Sequence, residues 1–329
     1  MKNQYFGDKR DLFKFDLVLD VMAATGLASF TYVPMLTPPD EKPDGRLTPR
    51  VPGGRRPALF DFLRSVREGG HADIRELRAF LGELSGIRYL PYRDGLDAGK
   101  YGFESRDEYF AGIPDDLLVA SCVLLDPDIG LESGAAVMKR AGPDKYLYLD
   151  SLYDLFLRCP DGVILIYQHL QNNAHFRLSQ MVGDIETMSR RLKLKSVPFI
   201  RDGDVAFYLI SKDPSLAQKG AAAFSTQADK TGRMREHATE VLRVALSLLG
   251  RVEGVSDLAL FGSVARSEQT AASDVDVLVR FHNPATLRGF FSVQTMLESM
   301  LGREVDLVTD KALRPELRAY VERDAIHAA

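Results

Sequence analysis

Three aspartates near the end of the chain have the types and spacing for phosphate chemistry. Asp274 and Asp276 stand at i and i+2 in SDVDVLV, and Asp306 follows in EVDLV. Side chains on a strand alternate between faces, so Asp274 and Asp276 are predicted to point the same way. A third carboxylate from a neighbouring strand would complete a compact, oxygen-rich pocket. Left uncompensated, three such charges repel by an amount on the order of several kcal/mol at reduced dielectric. Hard divalent cations remove that cost, and magnesium favours carboxylates that it shares with substrate phosphates. Gly262-Ser263, which closes the apolar run LALF, supplies the complementary part. Glycine lets the backbone approach closely, and amides at a helix start cradle an anion. Metals on one side and amides on the other equip a site for in-line attack on a phosphate.

These residues need a frame, and the flanking sequence provides one. Residues 233–249 read as a strong amphipathic helix and 258–261 as a short apolar strand. Residues 262–266 break that strand and start a short helix, and 273–279 alternate as a half-buried strand. A helix over 286–301 then crosses over to a further strand at 304–308. A lone DxD on a strand is usually a solvated face or a turn pair. Here it has G-S-x-A-R ahead of it and V-D-L-V behind.

The run LFGSVARSEQTAASDVDVLVRF, followed by a helix and REVDLVTD, resembles the minimal nucleotidyltransferases of the DNA-polymerase-β-like superfamily. Their pattern is G-S-x-A-R-G, a short gap, S-D-x-D, and a third Asp on a later strand. The resemblance implies an α+β nucleotidyltransferase domain over residues 233–329. It implies that Gly262, Ser263, Arg266 and Ser273 bind the nucleotide, that Asp274 and Asp276 hold metal, and that Asp306 completes the metal site near the attacking hydroxyl. Mg²⁺ or Mn²⁺ as cofactor and ATP as substrate follow from the same resemblance. Ser267 stands where the family most often has glycine, which puts loop strain in play without removing a catalytic group.

Members of the family include antitoxins that move AMP onto a tyrosine of a HEPN-type ribonuclease toxin, toxins that add nucleotides to tRNA, and enzymes that modify aminoglycosides. No drug-binding domain is evident beside this one. The resemblance therefore implies transfer of a nucleoside monophosphate to a protein or RNA acceptor, a HEPN-type toxin among the candidates, in a toxin–antitoxin or antiviral (phage-defence) setting. Two other readings stand beside it: a nuclease effector in the N-terminal part restrained by the nucleotide-binding domain, and a non-catalytic nucleotide-sensing module.

The N-terminal part reads as a different layer of structure. Helices are expected over residues 12–22, 58–67, 74–84, 146–157 and 175–192, and strands over 28–35, 117–125, 162–167 and 205–210. Short all-apolar runs such as LLVASCVLL and GVILIY suit strands covered on both faces. Strand and helix in alternation predict an α/β fold, a Rossmann-like α/β sheet domain over residues 1–212. The small, polar stretch 213–232 reads as a linker, and the Pro- and Gly-dense stretch 34–57 as a long surface loop.

The segments NQYFGDKRDLFKFDLVLDVM, LLDPDIGLE and ILIYQHL resemble a group of uncharacterised bacterial α/β proteins and, distantly, Rossmann-type rRNA adenine methyltransferases. Asp126-Pro127-Asp128 stands where those enzymes carry D-P-P. Thr37-Pro38-Pro39-Asp40 follows the first strand where they keep a Gly-rich turn, and prolines offer neither the amides nor the flexibility. The resemblance thus implies a degenerate methyltransferase-like or nuclease-like domain. Polar residues still gather where α/β folds keep their sites, at the carboxyl ends of strands. Asp126, Asp128 and Glu132 follow one strand, Gln168 and His169 the next, and Asp8, Asp11 and Lys14 lie on or near the first helix, which makes a second candidate site. The bland alternative is that the aspartates cap turns and that His169 is a hydrogen-bonded core residue.

Bulk properties exclude several classes. A chain of 329 residues is too long for one ordinary core, so two domains are expected. Apolar content of 45% with 27% charged residues is that of a soluble globular protein. A net charge of −4 gives no global reason for nucleic-acid or anionic-membrane binding, although Arg46, Arg50, Arg55 and Arg56 could line a local basic groove. No apolar run approaches the roughly 20 residues that span a bilayer, and the N-terminus lacks a signal-peptide core. Cys122 and Cys159 are too few for a disulfide framework and read as buried thiols of a cytoplasmic protein. Oligomeric state is left open by the sequence.

Overall fold

The computed structural model describes residues 2–38, 51, 53–70, 72–84, 86–93, 106–132, 142, 145–171 and 173–328. Most of the expected 34–57 loop, with Arg46 and Arg50, lies outside the described residues. The chain divides into two compact units, one of Met1–His169 with Arg201–Gly220, the other of Leu170–Ile200 with Ala221–Ala329.

The expected linker at 213–232 is instead the helix Pro214–Lys230. Its small residues resemble a linker in composition, but alanine is the strongest helix former, and Ala221, Ala223, Phe224 and Ala228 are buried. The boundary also moves, because the helix Ala174–Leu192 belongs to the second unit and not to the first.

The first unit carries β1 (Ser29–Pro34), β2 (Arg88–Pro91), β3 (Ser121–Asp126), β4 (Gly130–Leu131), β5 (Tyr146–Leu147), β6 (Val163–His169), the second half of β7 (Phe199–Asp202) and β8 (Val205–Ile210). Six of them form one sheet in the order β2-β1-β3-β6-β8-β7, with β4 and β5 paired separately. The strands β2, β1, β3 and β6 run parallel, and every residue of β3 is buried, as the continuous apolar runs required. The strand at 205–210 departs from that progression and runs antiparallel to β6. Only Gly203 and Asp204 separate it from its neighbour β7, too few residues for a parallel crossover. The sheet is therefore a mixed α/β sheet. The helix Lys9–Thr25 starts where Asp8 accepts from the amides of Arg10 and Asp11. Cys122 and Cys159 are buried thiols, and burial pushes Cys159 up to about 12.

The second unit carries β9 (Val255–Phe261), β10 (Val275–Phe281), β11 (Val305–Thr309) and β12 (Ile326–His327) in the order β11-β10-β9-β12. β10 runs parallel to β11 and antiparallel to β9. The helix Met234–Val252 packs on β9 and the helix Leu287–Leu301 on β11. A smaller cluster of Ala259, Leu278, Leu313 and Val321, with Phe261 and Val308 against it, joins the sheet to the helix Pro315–Asp324. Among the described residues no helix is long and apolar enough to cross a membrane.

Candidate active site

The strand register brings the acidic residues together. On β10, Asp276 stands opposite Phe261 of β9 and beside Asp306 of β11. Residues directly paired across strands share a face, so Phe261, Asp276 and Asp306 form one row. Asp274 lies one residue before β10 begins, not within the strand as the alternation suggested. Asp274 and Asp306 are exposed and Asp276 is half-buried. Burial pushes the Asp276 carboxyl up from its ordinary value, and the charges of Asp274 and Asp306 push it further. The amide of Ser263 and the guanidinium of Arg266 pull the other way. Asp276 thus feels the charge of a carboxylate just before its own strand and of one on the neighbouring strand, with no lysine among the causes.

Gly262 fixes the turn against this row. Its φ of 70° lies in the left-handed region, and a Cβ there would run into the Asp276 carboxylate. Glycine is required on both counts. The Ser263 N–H donates to Asp276, so the Gly-Ser turn and the DxD strand are already tied together. Ser267 has φ of 58°, so a serine does hold the left-handed position that suits glycine.

Two expected nucleotide ligands are engaged elsewhere. The Arg266 guanidinium donates to Glu268 at 2.7 Å and to Asp324 at 2.8 Å. Ser273 closes a turn, its Oγ accepting from the Thr270 amide at 2.9 Å. Each already has a partner, within its own turn or on the last helix. Among the described residues no three His, Cys, Asp or Glu side chains close on a cation-sized point. The three aspartates are therefore not gathered on one point by the protein alone, and a magnesium ion there would have to share them with substrate phosphates and water. Asp274, Asp276 and Asp306 could hold such an ion.

A cavity of about 400 Å³ adjoins the row. Phe261, Val308, Leu313 and Val321 give it apolar walls, and Gly262, Asp306, Arg266, Arg314, Tyr320 and Asp324 line it as well. The sequence reading missed every contribution of residues 313–324. The charged stretch PELRAYVERD contains only one buried residue of the cavity, Val321, and its role depends on where the helix lands.

Residues 241–327 match the model of the nucleotidyltransferase domain family. A Methanocaldococcus jannaschii protein named as a protein adenylyltransferase, MJ0128, is 37% identical over 89 residues, which is 27% of this chain and 91% of that one. The protein adenylyltransferase MntA of Thermococcus cleftensis is 36% identical over 74 residues, 22% of this chain and 75% of its own. The chain belongs to the nucleotidyltransferase family. Among solved structures, a minimal nucleotidyltransferase is 40% identical, with 26% of this chain and 86% of that one covered at a TM-score of 0.24. A toxin–antitoxin structure with AMP-PNP is 22% identical, with 26% and 72% covered at the same TM-score of 0.24. The match falls within the second unit, so that unit contains the nucleotidyltransferase domain, whose activity is nucleotidyl transfer.

In the first unit the structure brings some of the second candidate set together and separates others. Asp126 and Asp128 line a small cavity of about 70 Å³ with His169, Asp8, Asp11 and Lys14. Lys14 is buried and donates to Asp11 at 2.8 Å and to Asp126 at 2.7 Å. The Tyr32 hydroxyl also donates to Asp126 at 2.7 Å. Asp8 has its carboxyl pushed up to about 7, by burial first and then by Asp11. His169 is pushed down to about 4, chiefly by burial, and its Nε2 lies 3.1 Å from the Tyr167 hydroxyl. Gln168 turns away, accepting from the Leu131 amide at 2.7 Å and donating to the His169 carbonyl. Glu132 does not line the cavity, although burial pushes its carboxyl up as well. The sequence placed these residues at strand ends, while the buried Lys14–Asp126 pair spans 112 positions and had no local signal.

Proposed function

We propose that the second unit transfers AMP from ATP to a protein acceptor with release of pyrophosphate, using magnesium held by Asp274, Asp276 and Asp306. The observation that carries this is the row Phe261–Asp276–Asp306 with Asp274 beside it, set against a Gly262 turn too tight for any side chain. A divalent ion bound there would supply charge neutralisation and Lewis acidity at the phosphates. The chain's own residues do the positioning. Backbone at Gly262 and Ser263 approaches the triphosphate closely, and the exposed carboxylate of Asp306 takes the proton of the attacking hydroxyl. Arg266 exchanges its Asp324 partner for phosphate oxygens when nucleotide arrives, and Ser273 holds the turn that presents Asp274. Relatives named as protein adenylyltransferases support a protein acceptor in place of RNA. The toxin–antitoxin or antiviral setting with a HEPN-type toxin as partner is carried over from the resemblance of the sequence motifs alone.

The first unit then serves to select the acceptor. Its mixed α/β sheet, parallel over four strands, keeps the Rossmann-like and methyltransferase-like reading in view as ancestry. A metal nuclease is disfavoured by Lys14, whose ammonium already sits between Asp11 and Asp126, where a cation would bind. The test is incubation of the full chain with α-labelled ATP and Mg²⁺, with and without candidate protein and RNA acceptors. Label should appear on a protein band and vanish in Asp274→Ala/Asp276→Ala. Label on RNA refutes the acceptor class, ATP binding without transfer favours a sensing module, and nuclease activity lost in Asp126→Ala favours an effector in the first unit.

A further inference from the structure

We propose that Tyr320 is an adenylylation site of this chain, modified in cis by the nucleotidyltransferase site beside it. The inference rests on the AMP-transfer reading above and names an acceptor for that chemistry. Residues 170–200 and 221–329, which make up the second unit, contain a single tyrosine, Tyr320. It is 62% exposed, well outside what a core ring tolerates, and it lines the same cavity as Gly262, Arg266 and Asp306. Among the described residues its hydroxyl has no hydrogen-bond partner.

The helix that carries Tyr320 is anchored to the site at two points. Val321 packs into the cluster of Leu313, Ala259 and Leu278 on the sheet face that bears the aspartates. Asp324, one turn further on, accepts from Arg266 at 2.8 Å. The Tyr320 ring itself lies 5.5 Å from the Arg323 guanidinium, which orders it by cation–π attraction while leaving the phenol oxygen open. An ordered, unpartnered hydroxyl on the wall of a catalytic cavity gains the proximity that an acceptor otherwise obtains by binding.

The step balances without any further reactant than ATP. The phenol oxygen of Tyr320 attacks the α-phosphorus, forming an O–P bond. The bond from that phosphorus to the oxygen bridging towards the β-phosphate breaks, and pyrophosphate leaves with the electron pair. A phenol is protonated at neutral pH, so its proton must leave as the O–P bond forms, and the 62% exposure of Tyr320 lets it pass to solvent water. An adenylyl group on Tyr320 would then fill the cavity and slow transfer to external acceptors, so the modification acts as a brake.

The experiment uses the full chain with α-labelled ATP and Mg²⁺, read by intact mass and by peptide mapping. Expected is one adenylyl group per chain on the peptide containing Tyr320, formed at a rate independent of protein concentration. Tyr320→Phe, which keeps the ring, and Asp274→Ala/Asp276→Ala should both lose the label. Labelling of Tyr320→Phe at the wild-type level, label on another residue, or a rate that rises with protein concentration overturns the inference. So does an unlabelled wild-type chain that nevertheless labels an added tyrosine-rich peptide, an outcome that leaves AMP transfer standing. A wild type that neither labels any acceptor nor releases pyrophosphate overturns both readings together.

Discussion

Replacing Gly262 by alanine tests the geometry of the active site with the addition of one carbon. Two separate costs follow from the coordinates. The backbone at φ 70° is left-handed, and an L-residue there is disfavoured by about 1–2 kcal/mol. The new Cβ also collides with the Asp276 carboxylate, which must move off its position opposite Phe261 or force the turn open. Asp276 is a half-buried strand residue, so the displacement is shared with β10 and is not absorbed by a free rotamer. A misplacement on the order of 1 Å costs about 100-fold in a reaction that depends on positioned groups. The expected result is therefore a stability loss of about 1–2 kcal/mol in urea denaturation and a fall of about 100-fold or more in transfer of α-label from ATP. Alanine at 262 with wild-type transfer would refute the assignment of this turn to the catalytic site, whatever the stability.

Four further outcomes follow from the same structure. Asp276→Asn should abolish detectable transfer yet raise thermal stability at neutral pH, because burial and two like charges oppose ionisation of Asp276. With the folded pKa raised, the strain exists only above the unfolded carboxylate value near 4, so the gain over wild type should shrink as pH falls towards 3, as melting curves against pH would show. Ser267→Gly should stabilise the chain by about 0.5–1 kcal/mol by relieving a left-handed serine, read from urea midpoints at constant m. Lys14→Met should destabilise by about 3–5 kcal/mol, since it leaves Asp11 and Asp126 buried without their counter-charge, and Lys14→Met/Asp126→Asn should recover part of that loss. His237 is held at about 4 by burial, with Arg303 and Arg233 adding to the effect, so wild-type stability should fall as pH drops from about 6.5 to about 4, and His237→Leu should flatten that slope.

The sequence by itself determined the chemistry-bearing segment of this protein. The runs that hold Gly262, Asp274, Asp276 and Asp306 are local signals, because a turn glycine and polar residues set among apolar ones are written within a few positions, and all four fall inside the 241–327 family match. The buried strands β3 and β6 were equally legible, since a strand covered on both faces needs an apolar run such as CVLL or VILIY at its centre. Tertiary structure decided what local pattern could not. The stretch 214–230 is a helix because its small residues find a surface to bury against, and composition alone cannot tell that from a linker. The strand at 205–210 returns from β7 through a two-residue connection and so lies antiparallel to it, and it enters the sheet between β7 and β6, antiparallel to β6 as well, which its own residues do not encode. Asp126 turned from candidate ligand to buried ion pair because Lys14 reaches it from 112 positions away. Tyr320 came to line one cavity with Asp306 for the same reason: which side chains distant elements bring together is set by how helices and sheets dock, and docking depends on summed burial that no short window of sequence contains.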